Sequence, residues 1–412
     1  MKNLGIKISV YLNYFVFAIL LNSVGIVIER SITVYQVTES QASILEAFKD
    51  LPIAIVSFLV ASFLPRFGYK KAMLTGLAIV FLGCLLMIYG NSFYYTKILF
   101  LSIGVSFALI KLSVYSLIGV LTETKKEHAS MMSSIEGFFM VGIASAYFLF
   151  PAFFNDKTDM ESWLNVYYVL CGIIAVSFVF LLFSKLSYEV EAIGSTLMED
   201  IKQSVKLMVV PLVLIFIISA FLFVMIEQGI MSWLPTFNKK IFRFDSVLST
   251  QMASVLALSL ALGRFIAGFL TKYIKWVYLV IICVVISGSI LVYVLPQLNV
   301  DNAVTTEITS ITDVPHLGFI LPLIGLFIAP IYPLLNSTVL SSLPKSLHSP
   351  MSGLIIIFSA LGGTLGSRIV GELFQHIGGA SAFYFLLIPM ALLIIFVIRI
   401  DKMSKQKVEV LS

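Results

Sequence analysis

Charge is scarce in this sequence. Only 12% of its 412 residues are Asp, Glu, Lys or Arg, while 59% are hydrophobic; soluble domains carry roughly a quarter charged residues and under half apolar. That shortage excludes a water-soluble enzyme, a nucleic-acid binder and a disordered chain. Cysteine is rare too: Cys84, Cys171 and Cys283 each stand in an apolar run without CxxC or Cys/His spacing, so they read as buried, reduced thiols. The four histidines, His128, His316, His348 and His376, fall in loops or at the ends of apolar runs, with no partner at metal-ligand spacing. No G-x-x-x-x-G-K-[ST] run is present, which removes the ATP-driven pump motif. No Gly-rich filter interrupts a short helical hairpin as in channels, and no Ser/His pairing inside the apolar runs supports a membrane-embedded enzyme. Neither a metal nor a cofactor is expected.

Long apolar runs are what the sequence has in abundance. About 20 apolar residues make a helix that crosses the hydrocarbon core. Twelve such runs follow one another, over 10–32, 42–64, 72–92, 97–121, 130–153, 163–183, 208–235, 248–271, 276–295, 316–341, 350–374 and 381–400. The first follows Lys2 and Lys7 in the manner of a signal peptide. It is longer than a signal h-region and lacks a small-x-small cleavage site, so it reads as a transmembrane helix. The expected fold class is an all-α membrane protein with twelve transmembrane helices.

A polar stretch containing Glu189, Glu191, Glu199, Asp200, Lys202 and Lys206 divides the chain. Residues 1–184 form a six-helix half, 185–207 a cytoplasmic linker, 208–400 a second six-helix half and 401–412 a cytoplasmic tail. The other long polar break, 296–315, is rich in Thr, Asn and Asp and has no Lys or Arg, as suits an external loop. With the N-terminus inside, every loop cation except Lys97, Lys157, Lys239, Lys240 and Arg243 falls on the cytoplasmic side, so both termini are expected in the cytoplasm. The net charge of +5 is therefore a topology signal rather than a nucleic-acid footprint.

The two halves repeat one another. After the second run comes Ala61-Ser-Phe-Leu-Pro-Arg66-Phe-Gly68-Tyr-Lys70-Lys71; after the eighth comes Ala267-Gly-Phe-Leu-Thr-Lys272-Tyr-Ile-Lys275. Both align without gaps as A-small-F-L-x-(R/K)-aromatic, in a short basic turn between the second and third helix of a half. Two six-helix halves related in this way resemble the major facilitator superfamily. The turn at 61–71 is similar to that superfamily's G-x-x-x-D-R-x-G-R-K signature, keeping Arg66, Gly68, Lys70 and Lys71, with Ser62 and Pro65 in place of its Gly and Asp. A narrower resemblance rests on Glu227-Gln-Gly229-Ile-Met-Ser232-Trp233-Leu-Pro-Thr-Phe237, on Gly325-Leu-Phe-Ile-Ala-Pro330-Ile-Tyr332-Pro333, and on Asn22 and Gln41-Ala42. These segments resemble the fucose–galactose–glucose:proton symporter family, although Ser23 stands where the fucose transporters place a proton-carrying Asp.

Ionisable groups inside spans are costly unless paired or wetted, and each is a functional hypothesis. The runs enclose Glu29, Arg30, Glu46, Lys49, Asp50, Lys111, Glu136, Glu227, Arg264, Arg368 and Glu372, a near balance of sign that argues for pairing. Helices alternate direction at about 1.5 Å per residue, so depth shows who can meet whom. Glu136 and Arg264 lie at similar depth from the cytoplasmic ends of helices 5 and 8, which the superfamily layout sets face to face; they are expected to form a cytoplasmic gate. The alternative has Arg264 serving helix-end carbonyls in its own half. Glu46, Lys49 and Asp50 share one face of helix 2 near its external end, and Arg368 and Glu372 form an i, i+4 pair at matching depth in helix 11. They are expected to form the external gate, the alternative being that Lys49 neutralises Glu46 or Asp50 within its own helix. Lys111 sits near the centre of helix 4, too deep to reach either surface comfortably, and needs a carboxylate, a wet cavity or an anionic ligand.

Together these features point to a proton-coupled secondary transporter working by alternating access on a small polar solute, with sugar uptake first. Transport of an anionic solute (a sugar acid, muropeptide or short peptide) and export of a drug or solute are the alternatives; a non-transporting receptor or scaffold is the alternative from another class. Glu227, Glu136 and Asp50 are the expected proton carriers. Lys111, Asn22, Gln228, Trp233, Tyr332 and Asn336 are the expected solute contacts. Small solute, protons and the lipid bilayer are the expected partners, without nucleic acid, for a monomer in a bacterial inner membrane.

Overall fold

The computed structural model describes residues 4–60, 64–122, 125–184, 202, 205–298, 307–341 and 348–411. Most of the expected linker at 185–207 and the start of the repeated turn, 61–63, lie outside the described residues. The described chain is helical. Among the described residues, the β-type pairings are two isolated bridges, Asn155 with Asp159 and Phe244 with Ile308. Among the described residues, eleven helical stretches are long and apolar enough to cross a membrane. Ile44–Val60, in the second position, is 17 residues long with Pro52 inside it.

Close contacts divide the chain into two units, Met1–Val37 with Phe48–Leu197, and Thr38–Ala47 with Met198–Ser412. The first unit contains α1 (Leu4–Asn22), α2 (Val24–Val34), the main part of α4 (Ile44–Val60), α5 (Leu64–Phe67), α6 (Tyr69–Gly90), α7 (Phe93–Leu121), α8 (Lys125–Leu149) and α9 (Val166–Phe183). Within it α1 packs on α8 and α9, and α6 on α7 and α9. The second unit takes α3 (Glu39–Ala42) and adds α10 (Pro211–Met231), α11 (Leu234–Lys240), α12 (Ser246–Leu270), α13 (Trp276–Val294), α14 (His316–Ile320), α15 (Ile324–Ile328), α16 (Ile331–Ser341), α17 (His348–Ile377), α18 (Gly379–Tyr384) and α19 (Leu387–Leu411). There α10 packs on α17 and α19, and α12 on α15.

Several spans expected as single helices are interrupted, each for a local reason. The first breaks at Ser23, where Asn22 Nδ2 donates to the Ala18 carbonyl at 2.8 Å and Ser23 Oγ to that of Leu20 at 2.8 Å; such back-bonding competes with the helical ladder. The seventh breaks at Ser232 and Trp233, because Pro235 sits in the first turn of α11, where a missing N–H costs nothing. The tenth is divided into α14, a 3₁₀ turn at Leu321–Leu323, α15 and α16. Pro322 and Pro330 stand at these breaks, each removing a backbone donor.

The basic turn of the first unit shows why its residue types are needed. Gly68 precedes α6 at φ 94° and ψ 125°, a region closed to side chains with a Cβ. Lys70 Nζ donates to the carbonyls of Leu182 at 2.9 Å and Ser184 at 2.7 Å, so its charge caps the C-terminus of α9. The side chain of Arg66 lies outside the described residues.

Glycines give α17 a thin face toward α10. A Cβ on Gly362 or Gly366 would press into the backbone carbonyls of Phe221 or Met225 in α10, so the α10–α17 seam is closed by two helix backbones in near contact. Gly362→Ala is expected to lower stability by about 1–3 kcal/mol through this overpacking. Gly172→Ala, where an added Cβ meets nothing within 4 Å, is expected to leave it unchanged or slightly raised. Thermal melts of the detergent-solubilised protein check both, and equal melting points for the two variants would contradict the backbone seam.

Candidate functional site

In the first unit, α7 carries Phe107, Lys111 and Tyr115 at successive i+4 positions, which a helix stacks on one face. The Lys111 ammonium lies 5.7 Å from the Phe107 ring centre and 5.9 Å from that of Tyr115. Tyr14 of α1 is buried against this stripe, 6.4 Å from Phe107, 6.3 Å from Tyr115 and 5.9 Å from Phe139 of α8. The Tyr115 hydroxyl donates to Glu136 Oε1 at 3.0 Å. Glu136 is close enough to act on Lys111 through its charge, yet Lys111 makes neither an ion pair nor a hydrogen bond among the described residues. It is partly buried, and among the described residues its ammonium lies near two π-faces.

The near balance of charge inside the spans is met by pairing elsewhere in this unit. Arg30 is fully enclosed beside Glu29. Its Nε donates to Glu29 Oε2 at 2.8 Å, and its Nη1 and Nη2 reach Asp156 Oδ1 and Oδ2 at 2.6 and 3.2 Å in a two-pronged fork. Thr33 Oγ1 donates to Glu29 Oε1 at 2.8 Å, and Phe154 lies 4.2 Å from the guanidinium carbon. Asp156 went unnoticed in the sequence because it sits in a polar loop 126 residues from Arg30. Past the end of the first span, the Tyr35 hydroxyl donates to Asn91 Oδ1 at 3.0 Å; burial, with the nearby Glu161 charge, pushes its ionisation well above the ordinary tyrosine range. Lys49 is 3.5 Å from Asp50, a pairing inside its own helix.

In the second unit the short α3 docks on α17. Gln41 closes a capping box with Thr38. Ser40 Oγ donates to Glu372 Oε1 at 2.6 Å. Arg368 pairs with Glu372 at 2.5 Å and donates to the Ser40 carbonyl and to Ser43 Oγ. Glu46, fully buried, accepts a 2.7 Å hydrogen bond from Ser232. Lys240 of α11 pairs with Glu39. Five of the residues expected at the external gate thus divide, with Glu46, Arg368 and Glu372 in one unit and Lys49 and Asp50 in the other.

The remaining expected residues are spread over α1, α2's boundary and α10–α17. Glu227 and Gln228 are partly buried near the end of α10. Tyr332 stacks on Phe223 at 5.4 Å, exchanges a 3.1 Å hydrogen bond with Ser359, and has Glu227 within electrostatic reach. Asn336 lies one turn on. Trp233 is fully buried: its indole N–H donates to the Ser367 carbonyl and hydroxyl at 3.0 and 3.1 Å, and its ring stacks on Phe374 at 5.5 Å. It packs the core of this unit and presents no open face. Asn22 spends an amide N–H on its own helix. Arg264 is exposed on α12 beside Gly263, which packs on the Leu326 backbone. Among the described residues no group of His, Cys, Asp and Glu could hold a metal ion, and the three cysteines are buried and free.

A family model described as Major Facilitator Superfamily matches residues 8–367. No curated protein sequence gives a match. Among solved structures, the chain is similar to a bacterial homolog of the human lysosomal transporter Spinster in an inward-facing, occupied conformation, with 13% identity, 98% and 96% of the two chains covered, and a TM-score of 0.71. It is similar to a POT family transporter in complex with a thioalcohol-conjugated peptide, at 15% identity, 97% and 96% coverage and a TM-score of 0.72. The Escherichia coli fucose:proton symporter is a further likeness, at 13% identity, 97% and 99% coverage and a TM-score of 0.62. At these identities the likenesses show the fold.

Proposed function

Because the chain belongs to the major facilitator superfamily, we propose that it is a proton-coupled secondary transporter that moves a small polar solute by alternating access. The observation that carries this is the set of ionisable side chains kept partly buried within apolar spans, with Glu227 in one unit and Lys111 beside Glu136 in the other. A receptor or scaffold has no need of such costly groups at mid-span. Glu227 is the first proton carrier, Glu136 the second and Asp50 the third. A sugar-like body is favoured by the resemblance of 227–237 and 325–333 to the fucose–galactose–glucose:proton symporters; the fold alone, shared with a peptide-bound transporter, makes no such choice. On this reading both termini face the cytoplasm and the protein works as a monomer in a bacterial inner membrane, with solute and protons as its partners.

Uptake of labelled neutral sugars and sugar acids into proteoliposomes tests the proposal. Accumulation is expected under an inward proton gradient and should collapse when a protonophore is added. Solute binding without entry into the vesicles would favour the receptor alternative, and uptake indifferent to the gradient would sink proton coupling.

A further inference from the structure

Lys111 holds an unspent recognition capacity. An ammonium has three donors and no acceptor, and none of the three is used among the described residues. Glu136, the acid near enough to act on it among the described residues, is engaged by the Tyr115 hydroxyl at 3.0 Å. Aromatic faces satisfy an ammonium only in part, and an uncompensated buried charge is costly. Among the described residues, no ion pair or hydrogen bond makes Lys111 a purely structural residue. Three of the other expected solute contacts offer less. Asn22, Trp233 and Tyr332 already spend hydrogen bonds on Ala18, Ser367 and Ser359.

We propose that the transported solute carries a single carboxylate that docks on the Lys111 ammonium, with Phe107 and Tyr115 flanking its body. This rests on the transport reading and names the class of solute. A carboxylate fits better than a phosphate because there is one cation here and Glu136 stands beside it; stripping a dianion of water costs far more than stripping a monoanion, and one ammonium does not offset the difference. Charge-assisted bonds from ammonium to carboxylate are about twice as strong as neutral ones, which gives an acid its advantage over its neutral counterpart. Sugar acids are the class that meets both this requirement and the sugar-like body favoured by the sequence.

The test compares glucuronate, gluconate, N-acetylmuramate and lactate with glucose and glucose 6-phosphate in thermal-shift titrations of the full-length protein in detergent. Carboxylates are expected to stabilise the wild type more than glucose or the phosphate, a comparison that requires no variant. Their apparent affinity should fall about tenfold or more in Lys111→Gln, as for the loss of a charge-assisted bond, and be largely kept in Lys111→Arg. The proposal is overturned if no carboxylate shifts the melting point, if the phosphate is the stronger ligand, or if Lys111→Gln binds the carboxylates as the wild type does. Proteoliposome uptake separates the two levels. Lys111-dependent carboxylate binding without uptake removes the transport reading and leaves the docking point. Gradient-driven uptake of glucose that is indifferent to Lys111→Gln removes the docking point and leaves transport.

Discussion

Replacing Arg30 with methionine is expected to destabilise the protein by about 3–5 kcal/mol, the cost of leaving a buried ion-pair partner uncompensated. Arg30 and Glu29 are 0% and 1% exposed, so water cannot take over for the lost guanidinium. The Glu29 carboxylate would keep Thr33 but lose its cation, and Asp156 would lose both prongs of its fork. The double variant Arg30→Met with Glu29→Gln should recover much of the loss, since removing both charges avoids the orphan. Asp156 is 33% exposed, so Asp156→Ala should cost less than Arg30→Met. Melting points of the four proteins check the ordering; a double variant no more stable than Arg30→Met would show that the pair is not what holds this corner together.

Glu227→Gln is expected to abolish accumulation against a gradient while leaving counterflow exchange measurable. A gradient of one pH unit supplies about 1.4 kcal/mol per proton, enough for about tenfold accumulation. Glutamine keeps the shape and hydrogen-bonding capacity of the residue near Tyr332 but cannot take up or release a proton. The internal solute concentration in proteoliposomes should therefore level at the external one, whereas exchange of labelled for unlabelled solute continues. Full gradient-driven accumulation by Glu227→Gln would sink this assignment, and the same measurement on Glu136→Gln would then test the second carrier.

The spans were legible because hydropathy is a property of consecutive residues, and the structure keeps them at nearly the expected places. Their interruptions were legible only where a proline announces them, as at Pro235 and Pro330. The break at Ser23 depends on Asn22 and Ser23 turning back on the preceding carbonyls, and the same residue types elsewhere sit in unbroken helix. That Lys111 needs a carboxylate, a wet cavity or an anionic ligand was readable from its depth, and its aromatic flanks from the i−4 and i+4 positions. Tyr14, which completes the cluster, comes from another helix and left no local sign. The Arg368–Glu372 pair was visible from its spacing. That Glu46 would accept from Ser232, 186 residues away, was not.

The sequence by itself determined that this is an all-helical, multi-pass membrane protein with ionisable groups in its spans, because lipid admits backbone only as internally bonded helix and tolerates charge only for a reason. Tertiary structure decided which of those charges are neutralised. Arg30 is met by a loop aspartate, Lys49 by its neighbour Asp50 and Arg368 by Glu372, while Lys111 lies near the Phe107 and Tyr115 rings. It also decided that Thr38–Ala47, from the first half of the chain, packs with the second unit. Both outcomes depend on distances of a few ångströms between residues far apart in the chain, and electrostatic and hydrogen-bond energies change steeply over such distances.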